Sequence, residues 1–352
     1  MTPSRLFRWR FTSCCGHDAA PAVTVGTTRR EFMMLAAGGV AGVATLARRG
    51  EAAAQGRVFP PPPPLVSPVE GLIDFHVHCA PDVFGRSIDD DEVVTLARDN
   101  SMEGLVLKNH VALTADRAWL ARKHVPGLKV FGGIVLNAAV GGINPEAAQW
   151  MWRMQGGLGR VVWFPTFDAD HHVKHFKDAP EGIRVVGDDG RVLPAVREVL
   201  KICAQQKIVV CTGHSSPAEA LAIAEAARDA GCDRVLVTHA EFEVVNMTLE
   251  QMQRAAALGA KMELCAMGAL MGPGAHLAWM RHWRQVTPRE TADRIKAVGA
   301  AHFVLATDLG QTGNPTPPDG YKTFVAALMA EGITKEQIHQ MGREIPGALL
   351  MG

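Results

Sequence analysis

The sequence has 352 residues, and its 36 Lys and Arg balance its 36 Asp and Glu, so the formal net charge is +0. A chain with no excess of positive charge is not expected to bind nucleic acid or an anionic membrane surface. Hydrophobic residues make up 47% of the chain and glycine occupies 35 positions, a composition typical of one large α/β domain. Assembly into a homo-oligomer stays open, and the strand-end residues described below are the ones that predict a small-molecule substrate as the partner.

The first 54 residues have the features of a secretory signal. Arg29 and Arg30 precede an apolar run of small residues from Met33 to Ala47, and three alanines follow at 52–54. Paired arginines before a short apolar stretch are typical of a twin-arginine signal. The run holds ~15 apolar residues, fewer than the ~20 that cross a bilayer. We therefore expect export to the periplasm by the twin-arginine route, without stable membrane insertion; a start further downstream, at Val23 or Val25, is an alternative.

Residues 55–70 follow the signal and include five consecutive prolines at 60–64. Such a run adopts a stiff, extended conformation and predicts a linker with no fold of its own. The folded domain is expected to begin near Gly71 and to extend to residue 352.

Eight apolar, β-prone runs follow Gly71, and helical patterns lie between most of them. The runs cover residues 72–78, 104–110, 129–137, 159–168, 207–214, 234–240, 261–267 and 302–308. Near-continuous apolar runs are typical of parallel strands that are buried on both faces. They predict a slightly elaborated TIM-type (β/α)8 barrel over 71–352. The alternative is an open doubly wound sheet, which requires a Gly-rich phosphate turn after the first strand, where this chain has His-Val-His-Cys-Ala-Pro.

Several helix boundaries and loops can be located from local patterns. Capping boxes, a Ser or Thr followed three residues later by Glu or Gln, start at Ser216, Thr248, Thr287 and Thr334. Gly231 and Gly259 stand where two helices should end. The long connection 169–206 contains a predicted hairpin, 183–186 with 191–193, and a second long connection covers 268–287. Both connections follow strands, so we expect them to overhang the C-terminal face of the barrel.

Five of the eight predicted strands end in a side chain that can bind a metal. His76 and His78 are two residues apart on the first strand, so their side chains point to the same face. The other such residues are Lys108 and His110 on the second strand, His214 on the fifth, His239 on the sixth and Asp308 on the eighth. In a barrel of this type the C-terminal ends of the strands form the active face. Imidazoles with one carboxylate bind zinc-like ions, and an ion activates water for attack.

Other polar residues near these strands are compatible with more than one role. Lys108 is expected at the site as a carbamylated ligand, as an anchor for a substrate carboxylate or as an amine of lowered pKa; otherwise it forms an ion pair with Asp74 or Glu263. Glu263 is expected at the bottom of the barrel. The loop histidines 171, 172 and 175 are expected to be solvated.

The strand-end pattern resembles the amidohydrolase superfamily. His-x-His on strand one, His on strands five and six and Asp on strand eight correspond to His76, His78, His214, His239 and Asp308, and the resemblance extends from about Leu72 to the end of the chain. It implies a barrel-only, metal-dependent hydrolase in which these five residues serve the ion. Asp308 would also act as general base, and His239 would steady the oxyanion. The segments Lys-Asn-His, Thr-Gly-His and Thr-Asp-Leu-Gly-Gln are similar to those of uncharacterised amidohydrolase-like proteins, a similarity that implies no substrate.

The sequence departs from the superfamily at strand four. Members with two ions usually carry a bridging Lys or Glu there, whereas this strand runs from Trp163 to Asp168 without either. Asp168 or Lys108 would have to substitute. One divalent ion is therefore the simpler expectation, zinc in the first place although manganese, iron and nickel accept the same ligands. A two-ion site bridged by carbamylated Lys108, with His110 close by, is the alternative.

Three functions are compatible with this pattern. The first is hydrolysis of an amide, ester or lactone bond in a small molecule. The second is metal-dependent decarboxylation of an unsaturated or aromatic acid, with Lys108, His110, Arg86 or Arg281 holding the substrate carboxylate. The third is a non-catalytic periplasmic barrel that binds a metal or ligand.

Overall fold

Eight parallel strands follow one another in chain order around a barrel, which confirms the fold class predicted from the sequence. The computed structural model describes residues 67–177 and 179–352. The strands are β1 (Ile73–Val77), β2 (Gly104–Leu107), β3 (Lys129–Val135), β4 (Gly159–Trp163), β5 (Val209–Cys211), β6 (Val235–Val237), β7 (Lys261–Cys265) and β8 (Phe303–Ala306). All eight strands lie within the predicted runs, and each ends before its run does, so the polar residues that follow stand on loops at one face. We call this face, formed by the C-terminal ends of the strands, the barrel mouth.

Helices alternate with the strands on the outside of the barrel. They are α1 (Asp90–Asp99), α2 (Ala115–His124), α3 (Pro145–Trp152), α4 (Asp170–Val173), α5 (Pro194–Gln206), α6 (Pro217–Asp229), α7 (Leu249–Ala257), α8 (Pro288–Val298), α9 (Pro317–Ala330), α10 (Lys335–His339) and α11 (Ile345–Met351). No helix among the described residues is both long enough and apolar enough to span a membrane. The predicted signal and residues 55–66 of the predicted linker lie outside the described residues, so both stay predictions.

The helix starts agree with their local sequence. All four predicted capping boxes form, at the N-termini of α6, α7, α8 and α10. A fifth, between Asp89 and Glu92, starts α1. Gly231 and Gly259 have φ values of 75° and 86°, which is the left-handed conformation that glycine adopts after a helix at little cost. The predicted hairpin is reduced to one antiparallel bridge between Val186 and Val192.

The barrel closes between β8 and β1 through a short set of hydrogen bonds. The Asp308 amide donates to the His76 carbonyl at 2.9 Å, and the His78 amide donates to the Leu309 carbonyl at 2.9 Å. The buried carboxylate of Asp74 accepts from the Thr307 amide at 2.9 Å and from its hydroxyl at 2.6 Å. Closure therefore places the backbones of His76 and His78 directly beside that of Asp308.

One glycine on β3 makes room for a large side chain from β4. The indole of Trp163, the last residue of β4, is fully buried and lies over Gly133. A Cβ at Gly133 would lie 2.6 Å from Cζ3 of Trp163 and would also collide with the carbonyl oxygen of Val161. Because β3 has no side chain there, the indole reaches across it to within 5.6 Å of the Lys108 ammonium on the β2 side.

We predict that Gly133→Ala destabilises the barrel by about 1–3 kcal/mol, because both colliding groups are held by the sheet. Gly274→Ala is the matched control, since a Cβ there meets no atom within 4 Å. Urea unfolding of the two variants measures the difference. Equal stability of the two variants would show that the close packing of Trp163 over β3 is not required.

Candidate metal centre

His76 in β1 and His78, just after β1, face a carboxylate from the loop after β8. Nε2 of His76 and Nε2 of His78 each lie 3.1 Å from Oδ1 of Asp308. The three side chains are buried and close enough together to hold one ion. Burial lowers the pKa of both imidazoles below the ordinary value, so both are neutral near pH 7, as metal ligands must be.

His239, after β6, completes this cluster from the other side. Its Nε2 lies 3.5 Å from Oδ2 of Asp308, and its ring stacks on that of His76 with centroids 5.1 Å apart. His239 and Asp308 have φ values of 50° and 54°, a left-handed conformation that is costly for residues other than glycine. Such strain is retained where the surrounding structure enforces it, and it is concentrated at functional sites.

Glu263 lies beneath the cluster, in the middle of β7. Its Oε1 is 3.0 Å from Nδ1 of His76. Its Oε2 is 3.2 Å from Nδ1 of His239 and 3.2 Å from the backbone nitrogen of the same residue. The prediction that Glu263 lies at the bottom of the barrel is wrong, because the histidine rings extend down towards it. The sequence did contain a signal, because Glu263 is a lone carboxylate between the apolar residues Met262 and Leu264, and a buried carboxylate requires polar partners.

The two carboxylates determine where the protons of the rings reside. An ionised carboxylate only accepts hydrogen bonds, so Glu263 favours a proton on Nδ1 of both His76 and His239. Their Nε2 atoms then carry lone pairs directed at Asp308. Nε2 of His76 is indeed buried with no hydrogen-bond partner among the described residues, although Asp308 is 3.1 Å away. Two acceptors side by side are the arrangement that a shared cation stabilises.

His78 differs from the other two rings. Nη2 of Arg86 lies 3.2 Å from Nδ1 of His78 and 2.7 Å from the Asp82 carboxylate. A guanidinium has no acceptor, so Nδ1 of His78 accepts and its proton resides on Nε2, next to Asp308. When an ion binds, this proton has to leave or move to Nδ1, while Arg86 can remain paired with Asp82.

His214 also lies at the barrel mouth, where it contacts His172, a partner that was not predicted from the sequence. Its ring lies 5.4 Å from that of His239, and its Nδ1 is 2.9 Å from Nδ1 of His172 on α4. His172 is buried, and burial lowers its pKa to about 3. The expectation that this loop histidine is solvated is therefore wrong. If His214 donates from Nδ1, its own Nε2 is available to an ion.

His110 is held in place by a relay of two side chains. The Thr166 amide donates to Oδ1 of Asn137 at 2.8 Å, which fixes the orientation of that amide group. Nδ2 of Asn137 then donates to the Thr166 hydroxyl at 3.0 Å, and the hydroxyl lies 3.0 Å from Nδ1 of His110. The hydroxyl is thus placed to donate to Nδ1 of His110, and in that arrangement the ring keeps its proton on Nε2. The ring is held between His78 and Phe167, with centroids at 4.8 and 4.1 Å.

Lys108 is buried at this mouth without any of its expected partners. Its Nζ has no hydrogen-bond partner among the described residues, and neither has Nε1 of Trp163, 0% exposed. The ion pair with Asp74 or Glu263 is not formed. Burial lowers the pKa of the Lys108 amine. Asp168 lies apart from the cluster, because it accepts the Ala138 amide at 2.8 Å.

The donor set fits one divalent ion. The imidazole atoms and the carboxylate meet at spacings that a common ion between them can satisfy, and His76 already presents a lone pair that no hydrogen bond uses. Nitrogen and carboxylate ligands of this kind suit zinc and other first-row ions. A second group of possible ligands lies on the Nδ1 side: His76, His239, Glu263 and Cys265.

Comparisons with known proteins agree with the fold. The model of a family of unknown function, DUF6282, matches residues 71–263. No curated protein matches the chain. Among solved structures, the organophosphorus hydrolase from Deinococcus radiodurans is 14% identical with a TM-score of 0.54, covering 82% of this chain and 99% of that one. A mutant of a PTE-like lactonase from the same organism also has 14% identity and a TM-score of 0.54, with coverages of 82% and 98%. Similarity at this identity shows the shared fold.

We predict that Lys108→Met stabilises the protein against urea by about 1 kcal/mol or more, since it removes a buried amine that lacks a partner. Lys129→Met is the control, because it removes a lysine that is 40% exposed and pairs with Glu103. Its effect should stay within ~0.5 kcal/mol. A strongly destabilised Lys108→Met variant would indicate instead that Lys108 serves the fold.

Proposed function

The chain belongs to the family of unknown function DUF6282, and we propose that it is a metal-dependent hydrolase acting on an amide, ester or lactone bond of a small molecule. The observation that carries the proposal is the convergence of three imidazole Nε2 atoms on one carboxylate, at 3.1, 3.1 and 3.5 Å. These residues come from three different strands and have no other reason to be buried together.

His76, His78, His239 and Asp308 would hold the ion, with His214 adjacent as a further ligand. Zinc is the ion that we propose, and one ion rather than two, because strand four carries no Lys or Glu where two-ion members of the amidohydrolase superfamily usually have a bridging ligand. A bound ion supplies a Lewis acid and lowers the pKa of water.

Asp308 is suited to move the proton of the attacking water. Its two oxygens face different sides, Oδ1 towards the β1 histidines and Oδ2 towards His239. One oxygen can therefore hold the ion while the other accepts a proton and later passes it to the leaving group.

His110 is suited to steady the negative charge that develops on the substrate oxygen. It is neutral, because burial holds its pKa well below the ordinary value, and we propose that it accepts from the Thr166 hydroxyl and carries its proton on Nε2. A fixed neutral donor of this kind stabilises an oxyanion. The resemblance to the superfamily implied this role for His239, but Glu263 favours a proton on Nδ1 of His239 and leaves its Nε2 without one. We therefore propose His239 as a ligand and His110 as the donor.

The solved structures with this fold include proteins described as an organophosphorus hydrolase and a lactonase, which supports a hydrolytic reaction. The resemblance to the amidohydrolase superfamily supports the same reaction class. The twin-arginine pattern of the first 54 residues supports periplasmic location as part of the proposal.

Elemental analysis of the purified chain should give about one equivalent of zinc or a similar ion. Asp308→Asn should lower hydrolysis of a panel of lactones, esters and amides by about 10²–10⁴-fold, since it removes the proton acceptor. Asp168→Asn is the control, because that carboxylate caps a turn outside the cluster and should keep both ion and activity. A metal-free wild type that hydrolyses the panel, or full activity in Asp308→Asn, would contradict the proposal.

Decarboxylation is the second candidate, and the buried donors Lys108 and Trp163 favour it. Nζ and Nε1 both need an acceptor, and a substrate carboxylate offers two oxygens. If this reaction occurs, unsaturated or aromatic acids should release carbon dioxide and leave an organic product that contains no oxygen from ¹⁸O-labelled water, and Lys108→Met should abolish the release. Incorporation of ¹⁸O into the product would identify hydrolysis instead.

A further inference from the structure

We propose that Glu263 is a positioning residue that fixes the orientation and the proton position of two metal ligands at once. These ligands are His76 in β1 and His239 after β6. The inference rests on the proposed function in one respect, the identification of these histidines as ligands. Its structural basis does not depend on an ion, because the contacts of Glu263 join side chains and backbone of the chain itself.

Each oxygen of Glu263 serves one ring. Oε1 takes Nδ1 of His76 at 3.0 Å, and Oε2 lies 3.2 Å from Nδ1 of His239. The second contact is less direct, because Nδ1 of His239 also points at Sγ of Cys265, 3.5 Å away. A proton on that nitrogen nevertheless remains favoured, since a lone pair 3.2 Å from a carboxylate would be repelled.

The Glu263 carboxylate fixes the orientation of the two histidine rings as well as the position of their protons. Glu263 and Asp308 lie at opposite edges of the same two rings, so both imidazoles are held in line between a carboxylate below and a carboxylate above. Partners on the far side of a ligating histidine fix its orientation and strengthen its lone pair. Because one side chain serves both rings, the two ligands should lose this support together.

For the isosteric change Glu263→Gln we predict different effects on the two rings, rather than an equal loss of support for both. The amide that it introduces would have one acceptor oxygen and one NH₂ donor. The backbone N–H of His239 lies 3.2 Å from Oε2 and cannot change its polarity, so the amide oxygen must face it. The NH₂ group then faces His76, whose Nδ1 becomes an acceptor. His76 should therefore shift its proton to Nε2, which blocks the lone pair directed at Asp308, while His239 keeps its proton on Nδ1.

Glu241→Gln is the matched control. Glu241 is a second buried glutamate of the same barrel, and its carboxylate accepts from the Thr291 hydroxyl at 2.9 Å. Arg294 is its other partner, at 3.5 Å. Among the described residues, its hydrogen bonds and ion pairs involve no histidine, so the same chemical change there should leave the rings at the mouth as they are.

The experiment is ¹⁵N NMR of the histidine side chains in the full chain, recorded with chelator and with zinc, together with zinc titration by calorimetry. In wild type, both His76 and His239 should carry the proton on Nδ1. In Glu263→Gln only His76 should switch, and zinc affinity should fall by about 10–100-fold. Glu241→Gln should match wild type in both measurements.

A proton on Nε2 of either ring in wild type would overturn the proposal, and this result needs no variant to fold. An unchanged His76, a switch at His239 alone, or equal losses of affinity in both variants would also overturn it. If the tautomers behave as described but wild type binds no zinc, the proposed function fails while the positioning role of Glu263 stands.

Discussion

The closure of the barrel between β8 and β1 is the constraint on which the candidate site depends. The backbone hydrogen bonds across this seam join His76 to Asp308 and His78 to Leu309, each at 2.9 Å. The buried Asp74–Thr307 contact secures the same seam one step below. The residues that close the fold are thus the ones that carry, or adjoin, the proposed ligands. Closure of the barrel and assembly of the cluster depend on the same residues, so a mutation that loosens the seam should impair both.

Once the seam has formed, the cluster is defined by two carboxylates on opposite edges of the histidine rings. Glu263 contacts the Nδ1 edge of the rings and Asp308 contacts their Nε2 edge, as at His76. With Lys108 protonated, these three groups sum to a formal charge of 1 − 2 = −1 in a buried space, an environment that favours a cation. The left-handed backbone at His239 and Asp308 has a physical reason in this arrangement, because it aims both side chains at one point.

Sequence reasoning reached the barrel and the strand-end residues because both follow from short-range patterns. Parallel strands buried on both faces are apolar throughout, and a polar side chain at their ends is conspicuous. The helix starts at Ser216 and Thr248 were predictable since a capping box is local. Glu263, His172 and the Thr166 relay were not, because their contacts depend on the stagger between strands and on the path of a long loop. Spacing along one strand could not show that Glu263 reaches the rings from below.

Anomalous diffraction from crystals of the chain grown with zinc tests the central claim most directly. We predict a single strong peak between the Nε2 atoms of His76, His78 and His239 and the carboxylate of Asp308. Glu263 should contact the far edges of two of these rings without touching the ion. A peak on the Nδ1 side, between Glu263 and Cys265, or no peak at the barrel mouth, would contradict this account.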